Sequence, residues 1–95
     1  MTRTEPRQLV YDPRFKKDLK PLKHRHADLK ALSEVIKWLR NDNPLPARCY
    51  LHMLKGRYSG VFECHVRPDL LLIFDKSGDQ LRLMRVGSHA KLFKI

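Results

Sequence analysis

Five consecutive apolar side chains, Leu70-Leu71-Leu72-Ile73-Phe74, constrain this chain more than any other stretch. A strand exposed on one face alternates apolar and polar residues, whereas a short run with no polar position reads as a central strand covered on both sides. Just upstream, Phe62, Cys64 and Val66 alternate with Glu63, His65 and Arg67, giving a strand with one greasy and one titratable face. Pro68-Asp69 turns one strand into the other. Lys76-Ser77-Gly78-Asp79 makes the next turn, into a strand over residues 80–86. Strands joined by short turns pair antiparallel, so this half of the chain is expected to form a meander.

The N-terminal half must supply the cover. Gln8 to Tyr11 reads as a first strand, followed by a helix with Asp12 as N-cap and Pro13 in its first position. Phe15, Leu19 and Leu22 fall on one helical face, and Pro21 should kink or end that helix. From Asp28, the positions Leu29, Leu32, Val35, Ile36 and Leu39 form a second apolar stripe, which Asn41-Asp42-Asn43-Pro44 stops. Trp38, beside the stripe, is expected to pack. Residues 43–59 show no sustained period and read as a long loop holding His52, Lys55, Arg57 and Tyr58, residue types that grip and stack a nucleic acid strand. At the far end, Ser88 is a candidate N-cap for a last helical turn carrying His89, Ala90, Lys91 and Leu92, closed by Phe93.

A chain of 95 residues holds one core, so residues 1–95 are read as a single domain. The expected fold class is α/β (α+β), with two N-terminal helices packed on a small, mainly antiparallel β-sheet, and the polar site on the sheet face away from the helices. Twenty Lys and Arg against ten Asp and Glu give a formal charge of +10, which implies an anionic partner, nucleic acid before membrane. No apolar run approaches a membrane span and no targeting segment is evident, so a cytoplasmic protein is expected, with Cys49 and Cys64 reduced and Cys64 filling the core. There is no glycine-rich phosphate loop and no zinc-ligand spacing, and no cofactor is expected.

The remaining polar residues suggest chemistry. RNA carries its own nucleophile, the 2′-OH, and can be cut without a metal given a base, an acid for the departing 5′ oxygen, and positive charge on the phosphorane. His52, His65 and His89 can serve as acid or base near neutrality. Asp69 can act as a base or orient a histidine, and Arg85 can stabilise charge. Strict alternation, however, puts Arg85 on the same face as Leu81 and Leu83. From composition and spacing alone a nucleic-acid-binding domain and a nuclease both stay open.

The motif His52-x-Leu54-x-Gly56, then Gly60, then Glu63-Cys64-His65-Val66-Arg67-Pro68-Asp69-Leu70-Leu71-Leu72-Ile73, then Leu81-x-Leu83-x-Arg85-x-Gly87-Ser88-His89-x-x-Leu92-Phe93 resembles the YafQ branch of the RelE/ParE toxins. The resemblance implies a RelE-like fold and a bacterial type II toxin. Such a toxin is a metal-independent endoribonuclease that cuts mRNA in the ribosomal A site, and is held in check by an acidic antitoxin. Carried over by position, His52, His65, Asp69 and His89 handle protons, Arg85 stabilises the phosphate and Phe93 lines the site. His89 is the expected acid, Asp69 or His52 the base, and His65 a support. Lys55, Arg57, Arg67, Leu70, Lys91 and Phe93 are the expected RNA contacts. Leu70, Phe74 and Tyr58 depart from the family pattern, and leucine cannot stack on a base as an indole does. A gyrase-inhibiting toxin of the ParE branch and a non-catalytic RNA-binding module are the rival readings.

Overall fold

The structure, a computed structural model, describes residues 3–55 and 61–93. Strand β1 (Gln8–Tyr11) leads into helix α1 (Pro13–Leu19), a 3-10 turn (Lys20–Leu22) and helix α2 (His26–Arg40). A second 3-10 turn (Ala47–Cys49), strands β2 (His52–Met53), β3 (Phe62–Arg67), β4 (Leu70–Ser77) and β5 (Gln80–Gly87), and helix α3 (His89–Phe93) follow. The sheet order is β1-β5-β4-β3-β2, and every pairing is antiparallel except β1 with β5. The expected α+β class and mainly antiparallel sheet hold.

β4 has the central place that its unbroken apolar run demands. Leu70, Leu72 and Phe74 join Cys64, Val66, Leu81, Leu83 and Val86 under Phe15, Leu22, Leu32, Val35 and Leu39 of the helical layer. Leu71 and Ile73 face the other way and are covered by Leu92 of α3. Each face of β4 has its own lid, and α3 is the smaller. Burying a side chain of this size contributes about 1.5–3 kcal/mol, so the one buried leucine of α3 holds that helix to the sheet. Gly87 permits the close approach: a Cβ there would lie 3.0 Å from Lys91 Cδ and 3.3 Å from Leu92 Cδ2.

Pro21 does end α1, within the 3-10 turn. α2 begins two residues before Asp28, with Asp28 buried in its first turn and paired back to Arg25 at 2.8 Å. Trp38 packs against the helix-side core as expected. Asp12 stands at the N-cap of α1 with Pro13 in the first position, as expected, although its side chain makes no capping bond and lies 3.6 Å from Arg82. One expectation is corrected. The long loop is not continuous: it contains the 3-10 turn and β2, whose His52 and Met53 pair with Glu63 and Phe62. A ladder of two residues draws its stability from the neighbouring strand and leaves no periodic trace in its own sequence.

Among the described residues, no helix is long and apolar enough to cross a membrane.

Candidate active site

The α3 face of the sheet gathers the titratable groups. His52 lies opposite Glu63, Glu63 opposite Ile73, and His65 opposite Leu71, and cross-strand partners share a face. Glu63 is only 4% exposed. A buried carboxylate needs partners, and two imidazoles supply them: His52 Nε2 lies 3.5 Å and His65 Nε2 3.8 Å from the same Glu63 oxygen. His52 Nδ1 is 2.9 Å from the Tyr50 carbonyl, which can only accept, so Nδ1 carries the proton. In neutral His52 the Nε2 lone pair therefore faces the Glu63 carboxylate.

A carboxylate–imidazole pair completes the group. Asp69, in the β3–β4 turn, accepts from the His89 backbone N–H at 3.2 Å and from His89 Nδ1 at 3.1 Å. These His89 hydrogen bonds hold the Asp69 carboxyl below its ordinary pKa. They also fix the His89 ring with Nδ1 protonated, leaving Nε2 as the nitrogen that Asp69 does not hold. Ser88 caps α3 as expected, accepting from the Lys91 backbone N–H at 3.1 Å. The His65 and His89 rings meet edge to face at 5.8 Å, so the two clusters are neighbours. Phe93 flanks His89 at 6.4 Å.

An irregularity in β5 puts Arg85 on the Ile73 side of the sheet, from which its guanidinium runs to α1. Leu83 pairs with Phe74 and Arg85 with Ile73, so Met84 is an extra residue that turns Arg85 away from the side of Leu83. Its guanidinium is gripped by Asp18 of α1, with Nε at 2.8 Å and Nη2 at 3.2 Å. Asp18 is 4% exposed, also accepts the Val86 N–H at 3.1 Å, and lies 3.4 Å from Lys91 Nζ. Burial pushes the Asp18 carboxyl up, but the Arg85 and Val86 hydrogen bonds outweigh it and leave the group below its ordinary pKa.

His52, His65, Asp69 and His89 thus share one surface. Lys91 and Arg67 instead line an adjoining cleft of about 290 Å³ that runs from Asp69 and Ser88 to Arg25 and Asp28, where Arg67 pairs with Asp28 at 3.2 Å. Leu70 belongs to the helix-side core and lines that cleft rather than the histidine surface. Lys55 is exposed beyond β2, while Arg57 and Tyr58 lie outside the described residues. Cys49 and Cys64 are buried and unbonded, and burial pushes the Cys64 thiol up to about 12, so neither is a nucleophile near neutral pH. Glu63, Asp18 and Tyr50 were not singled out from sequence. Only Glu63 left a signal, its place on the same strand face as His65. One carboxylate oxygen of Glu63 and one nitrogen each of His65 and His89 lie within 4.8 Å of one another, a spacing that could hold a metal ion.

Comparison with known proteins settles the family. Residues 7–94 match the family of bacterial toxins of type II toxin-antitoxin systems, YafQ. This chain belongs to the YafQ toxin family. It is 38% identical over 88 residues, 92% of this chain and 96% of the relative, to the mRNA interferase toxin YafQ of Escherichia coli. A metal-bound toxin from Helicobacter pylori superposes with a TM-score of 0.83 at 38% identity, covering 92% of this chain and 99% of that one. YafQ in the E. coli DinJ-YafQ toxin-antitoxin complex gives 0.81 at 37% identity, covering 93% and 98%. The RelE-like fold expected from the motifs is the fold of these YafQ structures.

Proposed function

We propose that this YafQ-family toxin is an mRNA interferase that cuts RNA by acid-base catalysis in the ribosomal A site. The observation that carries the reading is the two carboxylate–imidazole clusters, Asp69 with His89 and Glu63 with His52 and His65, side by side on one sheet face.

The 2′-OH of the substrate attacks the adjacent phosphorus as its proton leaves for a base, and the P–O5′ bond breaks as an acid protonates the 5′ oxygen. The products are a 2′,3′-cyclic phosphate and a 5′-OH. His89 serves as the acid in its imidazolium form, giving its Nε2 proton to the 5′ oxygen while Asp69 holds Nδ1. Asp69 already receives two hydrogen bonds from His89, which favours orientation over a role as base. That leaves His52 as the base, its Nε2 lone pair taking the 2′-OH proton and the Glu63 carboxylate 3.5 Å away offsetting the charge of the imidazolium formed, with His65 beside the same carboxylate. Arg85, aimed by Asp18, offsets the charge that builds on the phosphorane.

No step needs a metal, because the substrate brings the nucleophile and the protein both proton carriers. A soft divalent ion would compete for Glu63, His65 and His89, as fits a relative solved metal-bound. EDTA should therefore leave cutting intact, and added zinc or copper should suppress it.

The formal +10 charge suits an RNA-lined site in the cytoplasm and an acidic antitoxin that covers the basic surface, the counterpart of DinJ in the E. coli complex. The test is to induce the protein in bacteria and sequence the new 5′-OH ends. Ends at discrete codons of translated messages, absent with His89→Ala, are expected. Growth arrest with no new ends would overturn the nuclease reading, and inhibited gyrase would replace it with the ParE-type activity.

A further inference from the structure

Tyr50 is the most exposed of the large apolar side chains among the described residues, at 65%, and the acid-base scheme makes no use of its ring. Its backbone is left-handed, with φ 43° and ψ 56°. Glycine takes that conformation freely, while a bulky L residue there is an outlier. Strained backbone of this kind persists where the surroundings enforce it and the site uses it. Core packing does not explain the ring, because most of it stands in solvent. What it touches is the site: the His52 ring at 4.7 Å, tilted by 44°, and the His65 ring edge-on at 5.7 Å. The Tyr50 carbonyl also bonds His52 Nδ1. One left-handed residue therefore fixes a catalytic imidazole and presents an open aromatic face beside it.

We propose that Tyr50 is the platform on which a base of the RNA stacks next to the scissile phosphate, which makes it a specificity-determining residue of this site. The proposal rests on the ribonuclease reading above. A base held there pins the sugar whose 2′-OH must line up for attack. Stacking accepts any base but favours the larger purine surface, so the platform biases the choice of cut site without hydrogen-bond readout. Exposed tyrosines also anchor protein partners, yet a ring lodged against two site imidazoles lies where the substrate must pass.

The test uses two variants and modified messages on programmed ribosomes. Tyr50→Gly suits the backbone, keeps the carbonyl that holds His52 and removes the ring, while Tyr50→Phe keeps the ring. Loss of one base-aromatic stack should lower kcat/KM about 5- to 100-fold in Tyr50→Gly, with Tyr50→Phe within about twofold of wild type. The melting temperature of Tyr50→Gly should not fall. Nucleotides flanking the cut are then made abasic one at a time. At one position Tyr50→Gly should cost nothing further, because the same stack is already gone; a merely structural role would give additive losses everywhere. Additivity at every position, unchanged cutting by Tyr50→Gly, or an effect confined to binding a protein partner would each overturn the platform. Failure of the wild type to cut RNA at all would overturn the ribonuclease reading underneath it.

Discussion

β4 has a charge cluster at each end, and the two are built on opposite logic. Past its C-terminal end, Asp42 accepts from Arg7 Nε at 3.0 Å and Nη2 at 3.2 Å and from Lys76 Nζ at 3.0 Å, with Arg3 at 3.9 Å. The Arg7 hydrogen bonds chiefly, with help from Lys76, bring Asp42 down to about 2. Guanidinium and ammonium partners keep their protons across the physiological range, so this cluster is a permanent clamp tying the N-terminal segment and the β4–β5 strands to the end of α2. At the other end, the partners of Glu63 and Asp69 are imidazoles, the side chains that most often serve as proton carriers in enzymes. Carboxylates are common to both. Guanidinium and ammonium partners suit a cluster to holding shape, and imidazole partners suit the other to the proton transfer proposed for it.

The comparison breaks most visibly at His89. His89→Ala should lower single-turnover cleavage on programmed ribosomes by about 10²- to 10⁴-fold, the worth of one acid. Its half-exposed side chain contributes little to folding, so the melting temperature should barely move. A rate within a few-fold of wild type would remove the proposed acid.

Arg85 tests the boundary between the two kinds of cluster, because its charge is permanent although it is proposed to act beside the imidazoles. Arg85→Ala should cost about 10²- to 10³-fold in rate. It should also cost on the order of 2–4 kcal/mol in stability, since Asp18 would be buried with its main partner gone. Arg85→Lys keeps the charge but not the fork that grips Asp18, and should recover part of the stability and little of the rate. A variant that folds less well yet cuts at the wild-type rate would make Arg85 another clamp.

A smaller effect is expected at Glu63. Glu63→Gln keeps shape and burial but removes the negative charge between His52 and His65, and should slow cleavage by about tenfold. An unchanged rate would mean that the buried carboxylate only holds the two rings.

Sequence reading reached the reactive end unevenly. The doubly covered strand, the alternating strand and the two helical stripes follow from hydrophobic period, which local chemistry determines. His52, His65, Asp69 and His89 could be named by residue type and motif, and the fold brings them together. Arg85 could be named but not aimed, because Met84 shifts the register by one residue and no alternation rule anticipates a bulge. Asp18 lies 67 positions from Arg85 along the chain, and only the packing of α1 against β5 makes them partners. Glu63 was visible as one more charge on a polar face. Its burial depends on β2, two residues within a stretch that carries no period of its own.

The permanent clamp gives the smallest effect and the sharpest sign. Asp42→Asn keeps nearly the same shape, and asparagine tolerates the φ of 55° that Asp42 adopts, so the substitution removes charge and little else. Because the folded pKa lies near 2 against an ordinary 3.8, the clamp contributes its full stability above the ordinary value and loses it as pH falls through about 2. At pH 7 the variant should be less stable by about 1–2 kcal/mol, after discounting for solvent screening around a partly exposed group. The gap between wild type and variant in urea titrations should stay level from about pH 5 to 8, narrow below pH 4 and nearly close by pH 2. High salt should shrink it at every pH. Cleavage at 25 °C should be unaffected, because Asp42 meets none of the imidazoles. A stability gap that persists at pH 2 would show that the contacts, and not the charge, hold that end. A loss of cleavage with folding intact would show that the two ends of β4 are coupled.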